Sequence, residues 1–266
     1  AEYSLKLLGR DTMNQEEQLF LKRLEDLANM ADRRSTITFT DFMNLNELNI
    51  LHTYAGKISY LRVETFGGYD TAERQMAAFI PDALLIMGED FSFPIRCVHI
   101  SPANRKFAED LSHRDYLGAI LNLGIDRSKT GDILVRDKEA WLFCAESMED
   151  FIIRELTRVR HTAVRCESVK PDGVTAVCRT EMISGTVSSV RLDSVIALAF
   201  HVSRSKISSL IPEGCVYVNA RLVISSCHPL KEGDLVSVRG MGRFRYTGVR
   251  SESRKGRLLV KNEKYV

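Results

Sequence analysis

The stretch Val190-Arg191-Leu192-Asp193-Ser194-Val195-Ile196-Ala197-Leu198-Ala199-Phe200 decides the fold of the last third of the chain. Leu192, Val195, Ile196, Leu198, Ala199 and Phe200 give a helix with a wide apolar face. Ser203 is a good N-cap for a second helix, whose Ile207, Leu210 and Ile211 point inward. Arg204 and Lys206 are left on its outer side, where two cations beside free helix-start amides form a phosphate cradle. Gly214 ends the turn of helix, and Val216 and Val218 alternate as a strand. Asn219-Ala220 turns the chain into Arg221-Leu222-Val223-Ile224; Lys231-Glu232-Gly233-Asp234 turns it again into the strand Leu235–Arg239.

The charge distribution supports a polyanionic partner for this region. From Thr186 to Val266 there are 14 Lys and Arg against 6 Asp and Glu, a net of +8, whereas the preceding 185 residues carry −6. Beyond the second turn, nine cations from Arg239 to Lys264 face only Glu252 and Glu263, with Phe244 and Tyr246 interleaved. Leu258-Leu259-Val260 points to a hairpin rather than a disordered tail. Phosphate contacts of this kind supply affinity, and specificity then comes from RNA shape.

Upstream, the chain reads as two further regions. Residues 15–31 are apolar at 20, 24, 27 and 28, which is helix spacing. Thr40-Asp41-Phe42-Met43-Asn44 reads as the capped start of a second helix, and Tyr60–Phe66 alternates as a strand ended by Gly67-Gly68. Asp70 or Thr71 then caps a helix through Glu73–Met76. From Pro94 the order is clearer: strand 94–100, a helix ending at Leu123 before Gly124, strands 132–135 and 140–144 around a turn, helix 148–159 and strand 163–169. That order, βαββαβ, is shared by ferredoxin-like and RRM folds. On its third strand Trp141 and Phe143 either stack bases or pack a core. The cations Arg154, Arg158, Arg160, His161 and Arg165 either extend a basic surface or solvate a helix. Pro171-Asp172-Gly173 is a turn, and Val174–Ser189 leads on as strand and linker.

The chain is therefore expected to be α+β, with an N-terminal α/β domain (1–85), a ferredoxin- or RRM-like domain (86–185) and a C-terminal RNA-binding domain with a basic β extension (186–266). No run approaches the roughly 20 apolar residues of a membrane span, and Ala1–Lys6 lacks a signal-peptide pattern. The six scattered cysteines lack metal-ligand spacing and read as small hydrophobes in a reducing compartment. The expected location is the cytoplasm.

Arg191-Leu192-Asp193, Ser203-Arg204, Leu210-Ile211, Gly214, Val216, Val218-Asn219 and Lys231-Glu232-Gly233-Asp234 resemble the S4 domain, an RNA-binding module of αL type, over about 50 residues. One departure is Ala220, where that family has Gly after Asn. Across the whole chain, Phe66-Gly67-Gly68-Tyr69 with Ala72-Glu73-Arg74, Leu123-Gly124-Ile125 with Arg127 and Gly131-Asp132-Ile133, and Gly240-Met241-Gly242-Arg243-Phe244 with Lys255-Gly256-Arg257 resemble the YlmH family. These are bacterial S4-domain proteins encoded among cell-division genes, with relatives in photosynthetic lineages. The resemblance implies binding to rRNA and tRNA, and for some members action on obstructed large ribosomal subunits carrying peptidyl-tRNA.

The expected function is non-catalytic RNA binding on the ribosome, with no cofactor, metal or small-molecule substrate. Its RNA-binding candidates are Arg191, Ser203, Arg204, Lys206, Asn219, Arg221, Arg239, Arg243 and Arg245. An RNA-modifying enzyme is the rival, since S4 domains accompany such enzymes. Arg191-Leu192-Asp193 mimics the motif around a pseudouridine synthase aspartate, but Ser194-Val195-Ile196 follows instead of a Gly-Leu-Leu run. No methyltransferase loop or synthetase signature is present. The adjacent carboxylates Glu149-Asp150 and Glu109-Asp110 point apart on a helix. A division-linked adaptor with a protein-binding acidic half is the third reading.

Overall fold

The computed structural model describes residues 13–87, 91–170, 180–254 and 256–265. The turn at 171–173, the start of the strand and linker at 174–179, Lys255 and the first six residues, each read above from sequence, lie outside them. The chain divides into two compact units, Ala1–Val177 and Cys178–Val266.

The first unit holds two sheets. Helix α1 (Gln15–Arg34) starts with a capping box between Asn14 and Glu17 and buries Leu21, Leu24, Ala28 and Ala31. It packs beside a three-stranded antiparallel sheet of β1 (Thr38–Phe39), β3 (Met76–Pro81) and β2 (Leu61–Phe66), in that order. Helix α2 (Leu45–Tyr54) begins later than the sequence predicts. Asn44 caps it, accepting from the Asn46 and Glu47 amides, while Phe42 and Met43 are buried and Met43 bridges to Gln75. The helix expected through Glu73–Met76 is absent. The Glu73 and Arg74 amides donate to the Asp132 carboxylate instead, and Met76 opens the central strand β3, whose six residues are all buried. A strand buried on both faces has no alternation to betray it. The short helix α3 (Asp82–Met87) follows.

The second sheet of this unit contains β5 (Thr130–Arg136), β6 (Glu139–Ala145), β4 (Ile95–Pro102), β8 (Thr162–Val169) and β7 (Arg158–Val159), in that order and all antiparallel. Helices α4 (His113–Asn122) and α5 (Glu149–Glu155) cover one face through Tyr116, Ile120 and Ile152. Helix α5 is shorter than predicted, because the chain from Arg158 to Val159 pairs with Ala163 and Thr162.

The second unit is a six-stranded antiparallel sheet in the order β11 (Arg221–Leu222), β10 (Val216–Val218), β12 (Leu235–Val238), β13 (Gly242–Glu252), β14 (Leu258–Tyr265), β9 (Thr180–Val187). Strand β9 belongs wholly to this sheet, although the sequence-based boundary at 185/186 cuts through it. Helices α6 (Leu192–Ala199) and α7 (Arg204–Leu210) pack one face, joining Val195, Ile196 and Ile207 to Val216, Val236, Phe244 and Val260. Gly185 makes room there: a Cβ on it would lie 2.4 Å from Leu198 Cδ1 and displace that side chain.

Candidate nucleic-acid interface

At the helix pair, two of the predicted cations converge on one carboxylate. Arg204 Nε donates to Asp193 Oδ2 at 2.8 Å, and Arg191 Nε lies 3.4 Å from Asp193 Oδ1. Asp193 is 1% exposed, while the two arginine side chains are 48% and 38% exposed. A guanidinium has five N–H donors, so each arginine keeps donors facing outward while the buried anion fixes its stem. Ser203 caps α7 and accepts from the Lys206 amide, and Lys206 itself is exposed. From sequence, Asp193 stands out only as part of a motif that mimics a pseudouridine synthase aspartate; its proximity to an arginine eleven residues on emerges once α6 and α7 pack.

Asn219 and Ala220 form the hairpin tip at φ +50° and +58°, both left-handed. The Asn219 side chain is occupied within the protein. Its Nδ2 donates to Asp234 Oδ1 at 2.8 Å, and its Oδ1 accepts from the Leu235 amide at 2.9 Å. Asp234 in turn accepts from the Lys231 amide. The predicted turn at 231–234 is thereby clasped to the hairpin, and Arg221 projects from it exposed.

Alternation places the tail arginines on the sheet face away from the helices. Phe244 and Tyr246 enter the helix-side core, so Arg243 and Arg245 point the other way. Arg239 reaches the same face, donating to the Tyr217 hydroxyl at 3.2 Å and lying over its ring. Arg243 lies over the Tyr265 ring at 5.3 Å, and Arg245 Nε donates to the Tyr265 hydroxyl. Cross-strand register adds Glu263 opposite Arg245, one acid among three arginines. Tyr217 and Tyr265 were not singled out from sequence; their signal is the alternation of β10 and β14.

In the first unit, the sheet aromatics have different fates. Phe143 is fully buried and stacks on Tyr69, with centroids 5.1 Å apart and planes at 26°. Gly68, at φ +100°, lets that contact form, because a Cβ there would sit 2.2 Å from the Phe143 ring. Phe143 packs. Trp141 is partly exposed and stacks on His99 at 4.7 Å, whose ring nitrogens lie 3.0 Å from Glu139 Oε2 and 3.1 Å from Glu167 Oε1.

The motifs at 66–74 and 127–132 meet around the same contact. Asp132 accepts from the Tyr69 hydroxyl and from two backbone amides, while Arg74 donates to the carbonyls of Thr130, Phe42 and Arg127. Arg127 donates to the Thr130 and Gly131 carbonyls. Burial, then the neighbouring Arg74, pulls the Arg127 guanidinium down to about 10. These residues join the two sheets of the unit.

Of the cations from Arg154 to Arg165, Arg154 pairs with Glu155 and Arg160 with Asp115 at 3.4 Å, and Arg158 and Arg165 are exposed. Glu149 accepts from the Ser168 hydroxyl, and Asp110 lies 3.7 Å from Lys138. Among the described residues no three metal-ligating side chains cluster, and no helix is long and apolar enough to cross a membrane.

Residues 88–172 match the family model described as "Putative RNA-binding domain in YlmH". Over 250 residues the chain is 29% identical to a Bacillus subtilis (strain 168) protein named "Ribosome-associated protein quality control protein P2", covering 94% of this chain and 95% of that one. Among solved structures, the "Cell division protein ylmH from Streptococcus pneumoniae" is 23% identical and covers 59% of this chain and 93% of its own, with a TM-score of 0.48.

Proposed function

We propose that this chain, similar to the YlmH family over residues 88–172 and to a relative along 94% of its length, is a non-catalytic, cytoplasmic RNA-binding protein that engages structured rRNA and tRNA on the large ribosomal subunit. The observation that carries this reading is the set of Arg239, Arg243 and Arg245 laid over or bonded to tyrosines on one sheet face. Guanidinium planes and aromatic rings together supply phosphate neutralisation and stacking. Net charge of +8 across Thr186–Val266 supports it.

The second unit is read as an S4 domain. Its α6–α7 pair with the Arg191–Asp193–Arg204 cluster forms one edge, and its Asn219–Asp234 clasp another. The second sheet of the first unit is read as an RRM-like domain; the strand order β5-β6-β4-β8, with the first and third strands central, supports that reading. The name of the Bacillus relative supports the ribosome as the place of work.

A salt titration tests it. Full-length protein should bind a structured rRNA fragment with log affinity falling linearly against log salt. Replacing Arg204 and Lys206 with Ala should flatten the slope by roughly one unit for each phosphate no longer neutralised. An unchanged slope removes those residues from the interface. Absence of binding at low salt removes the function.

A further inference from the structure

Helix α4 carries a glycine that packing does not explain. Gly118 sits mid-helix, where glycine is unfavourable, and a Cβ built on it meets nothing within 4 Å. It lies one turn from Arg114 and one turn from Asn122, on one stripe of the helix. This stripe forms a wall of a groove of about 400 Å³, completed by Ala119, Asp115 and Arg160 of the β7–β8 turn.

The lining carries two arginines against one aspartate. Arg114 is exposed and has no partner among the described residues. Arg160, at φ +51°, is steered toward the groove by Asp115, whose own carboxylate also accepts from the Ser112 amide and hydroxyl. Gly118 and Ala119 leave part of the lining free of large side chains, beside Asp115 and Asn122, so a sugar–phosphate chain could approach the helix backbone closely there.

A second observation lies beside it. The loop following β4 presents Phe107, 76% exposed, with the Lys106 ammonium 5.9 Å from its ring centroid. That loop is tied to the turn bearing Arg160: the Ala103 amide donates to the Ala163 carbonyl, the Glu109 amide to Thr162 Oγ1, and the His161 amide to Glu109 Oε2. An exposed ring beside cations is a stacking platform for an unpaired base.

We propose that this groove is a second RNA-binding surface, which holds the phosphodiester backbone of a single-stranded segment between Arg114 and Arg160 while Phe107 stacks one of its bases. The proposal rests on the RNA-binding function inferred above and adds a contact to it. It puts RNA on the helix side of the second sheet, since Tyr69 covers part of the opposite face at Phe143.

The test uses the full chain and a 20-nucleotide oligouridine. Ultraviolet crosslinking with peptide mapping should label the peptide containing Phe107 as well as peptides of residues 180–266. Gly118→Glu should weaken oligouridine binding about tenfold without lowering the thermal midpoint, because a longer side chain fills open space and removes a helix-interior glycine. Should that variant unfold, Arg114→Gln decides, and the same weakening is expected. Crosslinks confined to residues 180–266, with both variants binding normally, overturn the groove and leave the proposed function standing. Failure of the unaltered protein to bind any RNA overturns both.

Discussion

The Tyr69 hydroxyl donates to Asp132 Oδ2 at 2.7 Å, across 63 positions of sequence. The same carboxylate receives the Glu73 and Arg74 amides, so one side chain joins the connection between β2 and β3 to the edge strand of another sheet.

Removing that carboxylate leaves three donors without their acceptor. Asp132→Ala should cost about 3 kcal/mol, whereas Tyr69→Phe, which deletes one hydrogen bond, should cost about 1 kcal/mol. Urea unfolding of each variant measures the difference. Equal losses would show that Asp132 does no more than hold Tyr69.

Ala220 occupies the left-handed region at φ +58°, where a Cβ is strained. Ala220→Gly should therefore stabilise the protein by about 1 kcal/mol, reduced somewhat by the added freedom of the unfolded chain. A lower thermal midpoint would contradict the hairpin geometry.

Asn262 is fully buried on the helix side of β14, and neither its Oδ1 nor its Nδ2 has a partner among the described residues. Its cross-strand neighbours are Tyr246 and Ile183. Asn262→Val removes an unpaired amide and should raise stability by about 1–2 kcal/mol. Calorimetry decides; a loss would mean that a buried water bonds the amide.

Asp193 stands between two arginines, so its loss should be felt in both folding and binding. Asp193→Asn keeps the shape but removes the charge, and should destabilise the protein by about 1–2 kcal/mol and weaken RNA binding about fivefold. Anisotropy and denaturation on the same sample check both. Unaltered affinity would make Asp193 a packing residue alone.

Burial pushes the Cys97 and Cys144 thiols up to about 12, with the Glu149 charge adding to the effect. Their neutral forms dominate at neutral pH, so a thiol reagent at pH 8 should modify exposed Cys227 first and spare these two until unfolding. Because the unfolded thiols ionise near 9 and the folded ones near 12, stability should be complete below pH 9 and fall as pH rises toward 12. Flat stability across that window would show that the thiols are not held neutral.

Much of this architecture could be read from residue order. The spacing in α1, the order of elements from β4 to β8, and the α6–α7 pair all follow from apolar periodicity. What escaped is physical in origin. Met76–Pro81 is apolar on both sides, so nothing in its pattern distinguishes strand from helix, and nearby cap-like residues pointed the wrong way. Asp70 and Thr71 lose to Asp132, an acceptor some sixty positions downstream. The candidate cations could be identified from sequence, but not their settings: Arg204 against Asp193, or Arg243 against Tyr265, depends on packing and register that composition does not encode. Likewise Asn219, singled out for RNA, spends its amide on a turn fifteen residues away.

Strand β14 lies between β13 and β9 and supplies the strand pairing that β9 has among the described residues. The earliest-made strand of the second unit must therefore wait, with an open edge, for the last one to emerge. An arginine-rich face assembled in this way depends on residues far apart in the chain: a copy without β14 would lose Tyr265 from beneath Arg243 and leave β9 unpaired.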